Sequence, residues 1–241
     1  MIWARLDRSA RRSRPSLTHD QIARAAIEIA DSEGVEALSM RKVAAKLDAG
    51  TMSLYRYVAT KDDLLDLMVD TVIGEERLPD APRDDWRTEL AGIARRNRKI
   101  ARRHPWMIGF MLARPNLGPN ALHMLEYAMA AVDGLGLDVD GMLDMVTTVT
   151  AFVTGFVQAE MAEDEAQRRT GLTQEQWRAR MGPYVGQLIA TGRYPFFERI
   201  VVEAEDFPDA DATFERRLAL VLDGLAASLE RRVSRSGRTG R

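Results

Sequence analysis

One short stretch of the chain, from residue 39 to residue 61, collects side chains that bind anions and flat hydrogen-bonding edges: Ser39, Arg41, Thr51, Met52, Ser53, Tyr55, Arg56, Tyr57 and Lys61. Arginine and lysine give charge-assisted hydrogen bonds to phosphate, and the guanidinium fork also fits a guanine edge. Hydroxyls and phenols add neutral donors, and small side chains let backbone come close. The chemistry this set points to is the reading of duplex DNA, with Tyr55, Tyr57 and Lys61 on phosphates and Arg41 on a phosphate or a base. Residues for catalysis are scarce by comparison. There is no cysteine and there are three histidines, so thiolate zinc sites and cysteine nucleophiles are excluded. His104 and His123 lie nineteen residues apart with no H-E-x-x-H context and read as ordinary surface or core histidines. Asp138-Val139-Asp140-Gly141 opens like a calcium loop, but Val149 stands where the bidentate glutamate is needed, so a helix cap is the better reading. With no G-x-S-x-G, P-loop or G-x-G-x-x-G either, neither an enzyme nor a bound metal or cofactor is expected.

The elements that must position the anion-binding set are helices. Every periodic segment repeats at helical spacing and none alternates long enough to argue a strand, which predicts an all-α fold. Thr18 and Gln21 make a capping box for a first helix with Ile22, Ala26, Ile29 and Ala30 on its apolar face, and Gly34 ends it. Ser39 caps a second helix with Val43, Ala44 and Leu47 inside. Asp48-Ala49-Gly50 turns into a short third helix, Thr51 to Val58, with Leu54 and Val58 inside and the polar set outside. Thr60 and Asp63 open a fourth through Leu64, Leu65, Met68, Val69 and Val72. Two short helices joined by a tight turn are the helix-turn-helix arrangement, whose second helix enters the major groove. Pro79 and Pro82 then break the run, placing a domain boundary there or within the fourth helix. Further helices are expected at roughly 83–103, 106–113, 118–134, 142–169, 173–191 and 212–232.

Charge follows the same division. Residues 1–61 carry 11 basic and 7 acidic side chains, residues 62–230 carry 18 and 29, and residues 231–241 hold five arginines and no acid. A basic front on an acidic body suits a front that meets a polyanion. The N-terminal arm, 1–17, with Arg5, Arg8, Arg11, Arg12 and Arg14, reads as a solvated segment or as a minor-groove or phosphate contact, and residues 233–241 as a disordered basic tail. Met1 to Pro15 lacks the apolar core of a secretory signal, and Met142 to Ala159, with Asp144, threonines and Gln158, reads as a buried helix rather than a membrane span. A cytoplasmic protein is expected.

The run Ser39-Met40-Arg41-Lys42-Val43-Ala44-Ala45-Lys46-Leu47, followed by Met52-Ser53-Leu54-Tyr55-Arg56-Tyr57-Val58 and Lys61-Asp62-Asp63-Leu64-Leu65, closely resembles the DNA-binding domain of the TetR family of transcriptional regulators. The resemblance covers about residues 18–75. Tyr57 takes the position usually held by a phosphate-binding histidine, and a phenol hydroxyl also donates to phosphate. It implies a DNA-binding domain over 18–78.

More weakly, the region from about 82 to 232, within a ligand-binding and dimerisation domain expected over 79–232, resembles the regulatory domain of the tetracycline-repressor branch, through Ala113-Arg114-Pro115, the helix ending Gly134-Leu135-Gly136-Leu137 and the apolar helix with Phe152 and Gly155. That implies a homodimerising helical bundle with an internal pocket, where a small-molecule inducer releases a palindromic DNA operator. Tetracycline repressors carry a histidine four residues before the Arg-Pro pair; Phe110 stands there, and Ala113 replaces a threonine, which points away from a magnesium–tetracycline chelate and toward an apolar or aromatic inducer. Candidate pocket residues are Phe110, Arg114, Asn120, Met124, Tyr127, Thr147, Phe152 and Phe156, with Gln158 as a further polar group, although such stripes also make ordinary core. The helix over 142–169, with Thr213 to Arg231, is expected to pack across the dimer. The competing readings are a helical small-molecule binder without DNA binding and, more remotely, an enzyme built on a helical bundle.

Overall fold

A computed structural model describes residues 2–3, 17–83, 85–204 and 209–239, and among them there are helices and no strands. In chain order the α-helices are α1 (His19–Glu33), α2 (Met40–Lys46), α3 (Thr51–Tyr55), α4 (Lys61–Ile73), α5 (Trp86–Arg103), α6 (Pro119–Val132), α7 (Val139–Thr170), α8 (Gln174–Ala190), α9 (Pro195–Glu203) and α10 (Ala210–Thr239), with 3₁₀ turns at Val35–Ala37 and Pro105–Gly109. The arm over residues 4–16 lies outside the described residues; of the two described residues before it, Ile2 belongs to the core and Trp3 packs against it.

The starts and stops have local causes. Thr18 and Gln21 form the full reciprocal capping box at α1, and Ser39 and Thr60 each accept the amide three residues on, at α2 and α4. Gly34 ends α1 at φ 84°, ψ 154°, a region only glycine adopts without strain. In the turn between α2 and α3 the positive-φ residue is Asp48 (φ 49°), not Gly50, and aspartate is among the few side chains that tolerate it. Asp138 caps α7, accepting from Gly141 N at 2.9 Å.

The chain forms two compact units, Met1–Val157 with Val221–Arg241, and Gln158–Leu220. In the first, a single core runs from Ile22, Val43, Leu54 and Leu64 through Met68 and Val72 to Ile100, Trp106, Met107 and Ala121. The sequence boundary at 78/79 is therefore not a break in packing, because α4 buries one face against α1 and another against α6. Gly118 allows the second contact: a Cβ there would lie 2.3 Å from the Asp70 carboxylate and 2.6 Å from the Trp3 ring.

Four segments differ from the periodicity reading. Residues 106–113 hold a 3₁₀ turn over Pro105–Gly109 rather than a helix, since proline, glycine and Pro115 leave no room for continuous i→i−4 bonding. Regular α3 stops at Tyr55, and Arg56 and Tyr57 continue as a turn. α9 has no counterpart in the reading; Pro195 at its first turn starts it. α10 continues to Thr239 instead of giving way at 233 to a disordered tail, since a nucleated helix adds residues at little cost and arginine favours it. The side chains beyond Arg231 lie outside the described residues. α7 is long and apolar enough to span a membrane by composition, but Gly141, Met145, Val149, Val153 and Val157, spaced by four, bury a single stripe of it in the chain's own core.

In the second unit, α8 and α9 bury no residue, and Trp177, Tyr184, Phe196, Ile200 and Val202 are exposed on them.

Candidate nucleic-acid interface and ligand cavity

Leu54 and Val58, both fully buried, pin the reading segment to the head and leave its other face outward. On that face Met52 and Tyr55 are exposed, and Thr51, Ser53 and Tyr57 are half-buried. Arg56 Nη2 donates to Ser53 Oγ at 3.3 Å, tying the two together. The Tyr57 ring meets His19 edge-on at 5.6 Å, and its carbonyl contacts His19 Nε2 at 3.3 Å. Burial lowers the His19 pKa against the opposing pull of that carbonyl. The ring contact fixes the Tyr57 phenol at the edge of α3. Ser39 caps α2, its Oγ accepting from Lys42 N at 3.3 Å, which leaves its hydroxyl proton to donate.

The cations of the head divide into two groups. Lys42 pairs with Glu33 at 2.6 Å, Lys46 with Glu28 at 2.8 Å, and Arg24 with Asp20 at 2.9 Å. Arg41, Arg56 and Lys61 are exposed and have no carboxylate partner among the described residues. Along the chain they flank α3: Arg41 at the start of α2, Arg56 just after α3 and Lys61 at the start of α4.

Below the head, α4, α5, α6 and α7 enclose a cavity of about 310 Å³. Its walls include Val69, Ile73, Ile93, Ile100, Met107 and Val146, with Asp66, Asn97, Asn116 and Thr150 as polar members. Of the residues proposed from sequence, Phe110, Arg114, Met124 and Thr147 line it. The others are placed elsewhere. Asn120 donates to the Asp70 carbonyl and carboxylate (3.1 and 3.0 Å), and Tyr127, buried, gives its hydroxyl to Glu89. Phe152 and Phe156 pack on each other at 5.9 Å, with Arg98 over the Phe156 ring at 5.3 Å. Gln158 belongs to the other unit. The signal that finds the missed wall is the period of α5, which puts Ile93, Asn97 and Ile100 on one stripe. Burial raises the Asp66 pKa, and the neighbouring Asp63 and Asp62 raise it further.

Head and cavity are joined by polar contacts around α4. The buried Asp70 carboxylate accepts from Ala121 N at 2.9 Å and from Asn120; burial still leaves its pKa raised despite those donors. Arg96 donates from Nε to Glu76 O at 2.7 Å and from Nη2 to Ile73 O, satisfying carbonyls at the end of α4. His104, buried, has Nδ1 2.8 Å from Asp31 of α1 and Nε2 3.1 Å from Glu75, while Trp106 Nε1 donates to the same Asp31 at 2.8 Å. His104 is thus a cross-link between head and body. Burial pushes the Glu75 carboxyl up, but hydrogen bonds and charge from His104 and Arg103 outweigh it and hold it below the usual glutamate range. No cluster among the described residues could hold a metal ion.

Comparison with known proteins gives a consistent picture. Residues 22–68 match the model of the bacterial regulatory proteins, tetR family, and residues 78–229 match the tetracyclin repressor-like C-terminal domain. The chain is 39% identical over 239 residues to the HTH-type transcriptional repressor DrrR1 of Streptomyces coeruleorubidus, covering 96% of this chain and 86% of that one. It is 28% identical to the class A tetracycline repressor from transposon 1721 of Escherichia coli, over 87% of this chain and 91% of the relative. Among solved structures it is similar to apo ActR from Streptomyces coelicolor (TM-score 0.73, 27% identity, 91% of this chain and 99% of that one). ActR in complex with actinorhodin is similar as well (TM-score 0.71, 29% identity, 89% and 99%).

Proposed function

Because the chain belongs to the TetR family of transcriptional regulators, we propose that it is a homodimeric, ligand-responsive repressor, released from a palindromic operator when a small apolar or aromatic molecule enters the α4–α7 cavity. The observation that carries this reading is the position of α4. Its first residue, Lys61, follows the reading helix by six residues in the chain, and Asp66, Val69 and Ile73 farther along it line the cavity. A ligand there touches the element that holds the reading head. It acts only through unequal affinity for the two states of the protein, and a full switch from 99:1 to 1:99 takes about 5.5 kcal/mol of difference.

The chemistry of the cavity favours an apolar, flat guest. Phe110 and Ala113 line it at the positions where tetracycline repressors carry histidine and threonine, so a magnesium chelate lacks its ligand, and ActR was solved in complex with a small molecule, actinorhodin. Arg41 and Lys61, with no carboxylate partner among the described residues, argue against a binder that has given up DNA. Regulation by binding alone, without a catalytic step, in the cytoplasm, completes the reading.

The test is operator capture from genomic DNA followed by titration with apolar aromatic compounds. Selective retention of a near-palindromic duplex, and its release by a compound that also binds the isolated protein, is the expected result. Equal affinity for random duplex overturns DNA reading, and binding without release overturns the switch.

A further inference from the structure

Apart from Asp66, whose carboxylate is an acceptor, the polar groups lining the cavity are mostly committed or exposed. Asn116 gives its amide nitrogen to Asp66 O at 2.8 Å and accepts from Gly118 N at 2.7 Å. Thr150 Oγ1 gives its proton to Val146 O at 3.0 Å, the usual back-bond of a helical threonine. Arg114 and Thr147 are exposed, so water already serves them. Asn97 is different. It is 7% exposed, its carbonyl accepts only from Arg96 Nη1 at a long 3.5 Å, and its amide nitrogen donates to no described group. That nitrogen is not among the fully enclosed atoms lacking a partner, so it keeps access to the cavity its residue lines.

An amide on this wall has to find its acceptor inside the cavity, whereas Leu or Ile at this point of α5 would need none among Ile93, Ile100 and Met107. We propose that Asn97 is the ligand-orienting and specificity-determining residue of the cavity, donating its amide to a carbonyl-type acceptor on a flat, otherwise apolar molecule. This rests on the ligand-responsive reading above. The apolar walls take the ring faces by burial alone and cannot distinguish one ring system from another of equal size. The amide supplies that distinction, because a ligand without an acceptor leaves the donor unpaired when it displaces cavity water. A cavity of about 310 Å³ suits a molecule of two or three fused rings.

The probes are 9-fluorenone and fluorene, nearly identical tricycles that differ by one carbonyl, titrated into the full chain and into Asn97→Leu and Asn97→Asp. The wild-type chain is expected to bind fluorenone about five- to tenfold more tightly, the worth of one net hydrogen bond. The bound ketone's carbonyl stretch shifts to lower frequency. Asn97→Leu removes both the preference and the shift while fluorene binds at least as well; Asn97→Asp, which keeps the shape and removes the donor, loses the preference also, covering the case that leucine disturbs the fold. Equal binding of both probes by the wild-type chain, or a preference that survives in either variant, overturns the role of Asn97 and leaves ligand response standing. Failure of the wild-type chain to bind either tricycle overturns the proposal together with the apolar-inducer reading beneath it.

Discussion

Lys42 and Lys46 define by contrast what Arg41 and Lys61 do. Each of the first pair is neutralised by a glutamate of α1 and stabilises the head by a modest amount, since exposed ion pairs contribute about 0–1 kcal/mol. Each of the second pair flanks α3 in the chain and has no carboxylate partner among the described residues, which suits a polyanion. On the DNA-reading proposal, Arg41 and Lys61 divide the work. Lys61→Ala is expected to weaken binding to every duplex alike and to lower the magnitude of the salt slope by about one unit per subunit. Arg41→Ala should cost about 1–3 kcal/mol on the preferred operator and relax preference at one position of each half-site. Fluorescence anisotropy on an operator and its single-base variants, across a salt series, separates the two. An unchanged salt slope in Lys61→Ala would falsify the phosphate assignment.

At the scale of the elements, α4 is held at both ends, and its far end is held by charge. Glu75 accepts from His104 and Arg103, and His104 also reaches Asp31 on α1. The Glu75 carboxyl lies below its ordinary range when folded, so its contribution is fully present above the unfolded value and disappears as pH falls through the folded one. Asp70 has the opposite sign. Burial raises it, so its contribution is largest in acid and is lost as pH rises through its folded value. The net acid dependence therefore contains two opposed parts, and Glu75→Gln removes one of them. Urea midpoints measured between pH 3 and pH 7 should fall less steeply with acid in Glu75→Gln than in the parent. The substitution should also alter the inducer concentration needed for release, because it loosens the joint through which α4 reports to α1. A steeper acid limb in the variant would show that the cluster does not act as described.

The molecule as a whole is completed by a second copy. α7 buries one stripe of itself, and Val139 and Leu143 on α7 and Leu220 on α10 remain exposed. Members of this family act as dimers, and two reading helices related by a two-fold axis meet a duplex only where half-site centres lie about 34 Å apart or a multiple of it. We expect these helices to form the dimer contact. Leu220→Glu places a charge in that contact and should raise the dimer dissociation constant at least tenfold, about 1.4 kcal/mol. Operator affinity should fall with it while the helical content of each chain stays the same. Sedimentation velocity over a concentration series reads the first effect and circular dichroism the second; an undisturbed dimer would place the contact on other residues.

Local signals along the chain determined the head. Capping residues at Thr18, Ser39 and Thr60, a stop at Gly34 and short apolar periods set α1, α2 and α4, because each rests on groups within a few residues of one another. The outward set from Arg41 to Lys61 was legible for the same reason: once Leu54 and Val58 face inward, helical spacing leaves Thr51, Met52 and Tyr55 no other side. The cavity was only half legible. Phe110, Arg114, Met124 and Thr147 line it, but Phe152, Phe156 and Tyr127, identical in type to pocket residues, were drawn to each other, to Arg98 and to Glu89. Those partners are distant in sequence, and periodicity states which way a side chain leans from its helix axis, not which helix it meets. The same holds for Asn97 and for the link from His104 to Asp31, 73 residues away. Only the packing of α4 against α1 and α6, and of α5 against α6, decided which polar groups found partners and put Asn97 on the cavity wall.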